Sequence, residues 1–158
     1  MTRVLATGTF DILHPGHLRY LEEAKKLGDE LWVIVARDVN VKHKPKPIMP
    51  ERHRLRMISS LQIVDKAVLG SRKDIFLPLK KIKPDIIAIG ADQNFDVKEL
   101  EIELKKRGIN TKVVRIKKYD PDPLCSSGKI IKRVAERYDT KFKKTKRRWR
   151  LWSLKSLK

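Results

Sequence analysis

Two histidines three positions apart, His14 and His17, bracket Pro15 and Gly16 in the segment GTFDILHPGH at residues 8–17. Each imidazole can donate a hydrogen bond to a phosphate oxygen, and a reference pKa of about 6.5 lets bound phosphate hold it in the charged form. Gly8 lets the backbone turn with no side chain in the way. Pro15 and Gly16 shape the entry to a helix beginning near His17, whose free amides and positive dipole end would face the same anion. Zinc is the competing chemistry for paired histidines, but no third His, Cys or carboxylate stands at a supporting local spacing, so phosphate contact is favoured over zinc. A bland alternative is that both histidines only cap and satisfy a helix start. Periodicity alone leaves it open against the phosphate reading.

Other candidate residues lie further along the chain. Lys42, Lys44 and Lys46 sit in a Pro-rich loop at residues 41–49, as phosphate contacts or as a solvated basic loop. Asp92, in the run Gly90-Ala91-Asp92, is either a ligand-facing carboxylate or a turn residue before a helix. Ser126 and Ser127 can cap a helix start while their hydroxyls and amides face a phosphate. Cys125 precedes them, where a helix amino end favours the thiolate; oxidation there would disturb the phosphate-facing loop, unless the thiol is an inert small side chain.

These residues need a scaffold, and the patterning supplies one. Apolar runs at residues 3–7, 31–36, 67–69, 86–89 and 112–116 read as strands, the second apolar throughout, as in a strand covered on both faces. Helical spacing alternates with them at residues 17–27, from 50 or 51 to 61, 75–82, 96–107 and 127–138. Strict alternation implies a Rossmann-like α/β fold: a doubly wound five-stranded parallel sheet with helices on both faces and a ligand site beyond the carboxyl ends of the strands. Residues 1–140 form the expected domain, followed by a tail at residues 141–158.

Thirty-eight Lys and Arg against 19 Asp and Glu leave a net charge of +19, and the tail holds nine of the cations and no acid. Such a surface attracts nucleotides, phosphorylated substrates or nucleic acid. The tail interleaves Trp149, Leu151, Trp152, Leu154 and Leu157 with its cations. That composition suits a disordered extension, an appendage docking on a second subunit of a homodimer, or, less favoured, a nucleic-acid contact. No apolar run approaches the roughly 20 residues that span a bilayer and no signal peptide follows Met1, so the expected compartment is the cytoplasm, with no membrane partner. With Cys125 alone, no intrachain disulfide can form.

The segment GTFDILHPGH resembles the GTFDxxHxGH signature of the cytidylyltransferase-like nucleotidyltransferases, matching at Gly8, Thr9, Phe10, Asp11, His14, Gly16 and His17. The resemblance implies that His14 and His17 bind a triphosphate and stabilise the transition state at its α-phosphorus. A phosphorylated acceptor attacks there and pyrophosphate leaves. It also implies a phosphate-binding lysine at Lys44 or Lys46, a basic position at Arg54, and a nucleotide contact at Asp92, the last either to ribose or base or through a phosphate-bound metal ion. Ser126 and Ser127 are similar to the end of the cytidylyltransferase signature RTxGISTT, whose first half is replaced here. Residues 1–138 together resemble the archaeal-type FAD synthases, which transfer AMP from ATP to FMN with a divalent metal ion, Mg2+ or similar. That resemblance implies ATP contacts at Thr9, Phe10, His14, Pro15, Gly16, His17, Asp92 and Tyr119. Cytidylyl transfer to glycerol 3-phosphate or another phosphorylated alcohol is the alternative chemistry.

Overall fold

The structure, a computed structural model, describes residues 1–42, 45–93, 95–117 and 123–138. The expectations for Lys44, Tyr119 and the tail at 141–158 lie outside the described residues. Five strands, β1 (Arg3–Gly8), β2 (Glu30–Val35), β3 (Lys66–Leu69), β4 (Ile86–Ile89) and β5 (Lys112–Arg115), form one parallel sheet in the order β3-β2-β1-β4-β5. The chain winds outward from β1 to β3, then crosses back to β4 on the other side of β1. The strand order therefore reverses between β1 and β4, the position beyond whose carboxyl ends doubly wound sheets bind their ligands.

Alternation along each strand divides the core. Val4 and Ala6 of β1 and Leu31, Val33 and Val35 of β2 pack with Leu21 and Ala24 of helix α1 (Pro15–Lys25) and Ile58 of α2 (Glu51–Ser59). Leu5, Ile34, Ile87 and Ile89 face the other way, onto Leu79 and Ile82 of α3 (Leu77–Ile82) and Leu104 of α4 (Val97–Lys106). A last helix, α5, occupies residues 127–138. The doubly wound architecture expected from the patterning is thus observed, with helices on both faces.

Differences lie at helix starts. Helix α1 begins at Pro15, not near His17, because His14 is its N-cap and a proline in the first turn has no amide to leave unpaired. Helix α3 begins two residues later than its apolar pattern suggests. Asp74 bends the chain first, its carboxylate accepting from Phe76 N at 2.9 Å and its carbonyl from Leu77 N at 3.2 Å.

The β1–β4 ladder ends at the pair Ala6–Ala88, and a side chain closes the gap beyond it. The Tyr20 hydroxyl donates to Ala88 O at 2.9 Å and accepts from Thr7 N at 3.2 Å. Burial pushes its pKa up, so the phenol keeps the proton it donates. Tyr20→Phe should lower the unfolding free energy by about 1–2 kcal/mol, because Thr7 N and Ala88 O lose a partner in a half-buried place. Urea denaturation of the two proteins measures this, and equal midpoints would show that water replaces the hydroxyl.

Candidate active site

The loop from β1 to α1 is strained and tightly supported. Phe10 and Ile12 adopt positive φ angles of 54° and 48°, a region that costs side-chain-bearing residues about 1–2 kcal/mol each. Gly8 is needed for a different reason from the expected turn: a Cβ there would lie 2.8 Å from the Phe10 ring. That ring is buried, edge-on to His17 with centroids 5.3 Å apart, and 6.3 Å from Tyr20. Phe10 therefore supports His17 from within the core.

Asp11, between the two strained residues, accepts from Ile48 N at 2.8 Å and Met49 N at 2.9 Å, tying this loop to the Pro-rich one. Arg54 ties both to the sheet. It is 1% exposed, and its guanidinium donates to Met49 O, Thr9 O and Ala36 O and pairs with Asp38 at 2.5 Å.

His14 and His17 stack with ring centroids 3.6 Å apart and planes inclined by 22°. His14 Nδ1 accepts from His17 N at 3.3 Å, so capping, one of the two roles open in the sequence, is realised at His14. His17 is different: its Nδ1 is buried with no hydrogen-bond partner. A buried polar atom without a partner is costly, and a ligand that bonds it would relieve that cost.

The beginning of α5 packs on the beginning of α1. A Cβ on Gly16 would lie 2.3 Å from the Cys125 carbonyl oxygen, so only glycine permits this approach. Ser126 caps α5, its hydroxyl accepting from Lys129 N at 3.3 Å, and Ser127 is the first helical residue. Two helix amino ends thus meet at one place, and neither first turn carries an acid. Amides and dipoles converging this way attract an anion. Half-buried Cys125 has its thiol 3.8 Å from Lys129 Nζ.

Pro15 is exposed at the rim, as is Asp92 in the turn after β4. Lys46 is exposed and donates to Asp38 O at 2.7 Å, which brings the Pro-rich loop back over the start of α2. Three supporting residues escaped the sequence reading: Tyr20, Arg115 and the tethering role of Asp11. Tyr20 carried a signal, a polar-tipped aromatic on the apolar side of an amphipathic helix. Arg115 carried a weaker one, a cation closing an apolar strand at its carboxyl end.

Burial lowers the pKa of His14. His17 is pushed from 6.5 down to about 3, first by burial and then by the neighbouring His14, with Asp11 opposing. The histidines of the free protein are therefore neutral at pH 7, and the ready charging expected from the reference pKa must come with the ligand.

The profile of the cytidylyltransferase-like family matches residues 5–133. The FAD synthase of Archaeoglobus profundus is 65% identical over 136 residues, 86% of this chain and 88% of the relative. That of Methanohalophilus mahii is 64% identical over 140 residues, 89% of this chain and 99% of the relative. The crystal structure of the lipopolysaccharide core biosynthesis protein from Thermoplasma volcanium superposes with a TM-score of 0.73 at 53% identity, covering 76% of this chain and 99% of that one.

The neutral histidines set a pH dependence. Below 6.5 an unfolded chain protonates His17, whereas the folded one does not until about 3, so stability falls as pH drops through that window and this group adds nothing above it. Between pH 7 and 5, the wild type should lose more unfolding free energy than His17→Gln, measured by urea denaturation at each pH. Parallel curves would show that His17 is not held neutral by the fold.

Proposed function

The chain belongs to the cytidylyltransferase-like family, and we propose on that footing that it makes FAD, transferring the AMP of ATP to FMN. The observation that carries the reading is the meeting of the stacked His14–His17 pair with the amino ends of α1 and α5, at the carboxyl ends of the strands. A triphosphate laid there has amides, dipoles and imidazole N–H groups around its oxygens.

One phosphate oxygen of FMN, already an anion, attacks the α-phosphorus of ATP. The new P–O bond forms as the bond to the β-phosphate breaks, and its electron pair leaves with pyrophosphate. No covalent enzyme intermediate is required, so the protein contributes placement and charge stabilisation. His14 and His17 donate to the oxygens where negative charge grows. The charge of the triphosphate offsets the burial that keeps them neutral in the free protein. Lys44 and Lys46, on the Pro-rich loop, add cations to the same phosphates. Thr9, Pro15 and Gly16 line the β1–α1 loop against ATP. Asp92 and Tyr119 meet the nucleoside, and Ser126 and Ser127 meet phosphate through the start of α5.

Among the described residues no three His, Cys, Asp or Glu side chains converge on a metal position. Mg2+ keeps its waters and takes one or two carboxylates beside substrate phosphates, and the exposed Asp92 after β4 is a carboxylate of that kind. Asp92 would supply such a carboxylate, and the ion would neutralise charge on the phosphates. Cys125 enters the reading through its carbonyl: oxidation or alkylation of the thiol would shift the α5 start against Gly16.

No helix among the described residues is long and apolar enough to cross a membrane. A relative matched over 99% of its own length by 140 residues of this chain supports residues 1–140 as the catalytic unit, with the basic tail as an addition.

Incubation with ATP, FMN and Mg2+ should yield FAD and pyrophosphate in equal amounts. His14→Ala should lose about 100-fold or more in turnover with its circular dichroism unchanged. Turnover of CTP with glycerol 3-phosphate, and none of ATP with FMN, would overturn the reading. So would salt-sensitive retention on RNA through the tail as the sole activity.

A further inference from the structure

The turn that carries Asp92 lies between β4 and α4. Its internal backbone bonds run from Gln93 N to Gly90 O at 3.2 Å and from Phe95 N to Gln93 O at 2.9 Å. Among the described residues, the side chains of Arg115 and Gln93 hold it from opposite sides. Arg115 ends β5 in register with Ile89, the last residue of β4, where the chain leaves the sheet. Its Nη1 donates to Gly90 O and Gln93 O, both at 3.1 Å, and its Nη2 donates to Phe95 O. Gln93 reaches the other way, to β1. Its Nε2 donates to Thr7 O at 2.7 Å and its Oε1 accepts from Gly90 N at 3.0 Å. The turn is thereby fixed to β1 on one side and β5 on the other, across the place where the strand order reverses.

We propose that Gln93 and Arg115 are positioning residues for nucleotide binding, holding the turn at residues 90–95 so that Asp92 is presented to the nucleoside. The proposal rests on the nucleotide-contact role given to Asp92 above. A guanidinium has five donors in a fixed fork and can gather several carbonyls at once, whereas a lysine ammonium is a point charge that holds fewer in one geometry. Because Arg115 is exposed, its removal should loosen the turn far more than it destabilises the fold.

The test is calorimetric binding of a non-hydrolysable ATP analogue, with steady-state kinetics beside it, for Arg115→Met, Arg115→Lys and Gln93→Met, each alone and with Asp92→Asn. Arg115→Met and Gln93→Met should each weaken analogue binding about tenfold and raise KM for ATP equally, with KM for FMN within about twofold. Arg115→Lys should fall between wild type and Arg115→Met, and the thermal midpoint of Arg115→Met should stay near the wild-type value. In the Asp92→Asn background the further loss from Arg115→Met should shrink to about twofold or less, since the group being positioned is gone. Unchanged analogue affinity in both single variants would overturn the proposal, as would an undiminished loss in the Asp92→Asn background or equal rises in both KM values. Analogue binding reports on the clamp even if the wild type proves inactive with FMN, so the two failures are separable.

Discussion

Arg54 places its guanidinium where almost no water reaches, 1% exposed, and each of the three guanidinium nitrogens donates to an oxygen. Burying an unpaired charge costs several kcal/mol, so the charge is tolerable only with its donors satisfied together. The partners come from four places: Thr9 O in the β1–α1 loop, Ala36 O past the end of β2, Met49 O at the end of the Pro-rich loop, and the carboxylate of Asp38. These segments lie at or beyond the ends of the strands, and one side chain fixes them relative to each other. The strain at Phe10 and Ile12 depends on this fixing, together with the two amides that Asp11 holds.

The same device recurs around the carboxyl edge. Arg37 donates to Gly70 O at 2.7 Å and pairs with Glu51 at 2.7 Å, linking the ends of β2 and β3 to α2. Arg115 does the corresponding work past β4. Where parallel strands stop, carbonyls leave the ladder, and arginine forks collect several of them at once. These arginines are therefore occupied in building the site. The phosphate site proposed above is of another kind: helix amino ends, glycine-permitted backbone and two neutral imidazoles, with the lysines of the Pro-rich loop beside them. A neutral pair avoids holding buried charge in the free protein, and a bound anion would raise the affinity of both rings for protons from solvent.

Much of this was legible beforehand, for definite reasons. Continuous apolar runs such as residues 31–35 can only be strands covered on both faces, and the helices between them then force the doubly wound sheet. His14 was legible as a helix cap because the contact that defines the cap, with His17 N, lies three residues away. Long-range pairings were not. Nothing local in the sequence says that Arg115 reaches back to Gly90, that Gln93 spans 86 residues to Thr7, or that the Cys125 carbonyl explains Gly16. Capping of α1 by His14 was one of two open readings, and the cap uses only Nδ1 of the ring.

If the stacked pair on the Arg54-tethered loop is the triphosphate site, its ring nitrogens must sense ATP directly. Imidazole nitrogen NMR on histidine-labelled protein at pH 7, with and without ATP and Mg2+, measures this. The expected result is two neutral rings in the free protein, with His17 Nδ1 lacking the signature of a hydrogen bond, and large shifts of both His14 and His17 on saturation with ATP. Rings already charged without ligand, or ATP binding that leaves both sets of resonances unmoved, would contradict it.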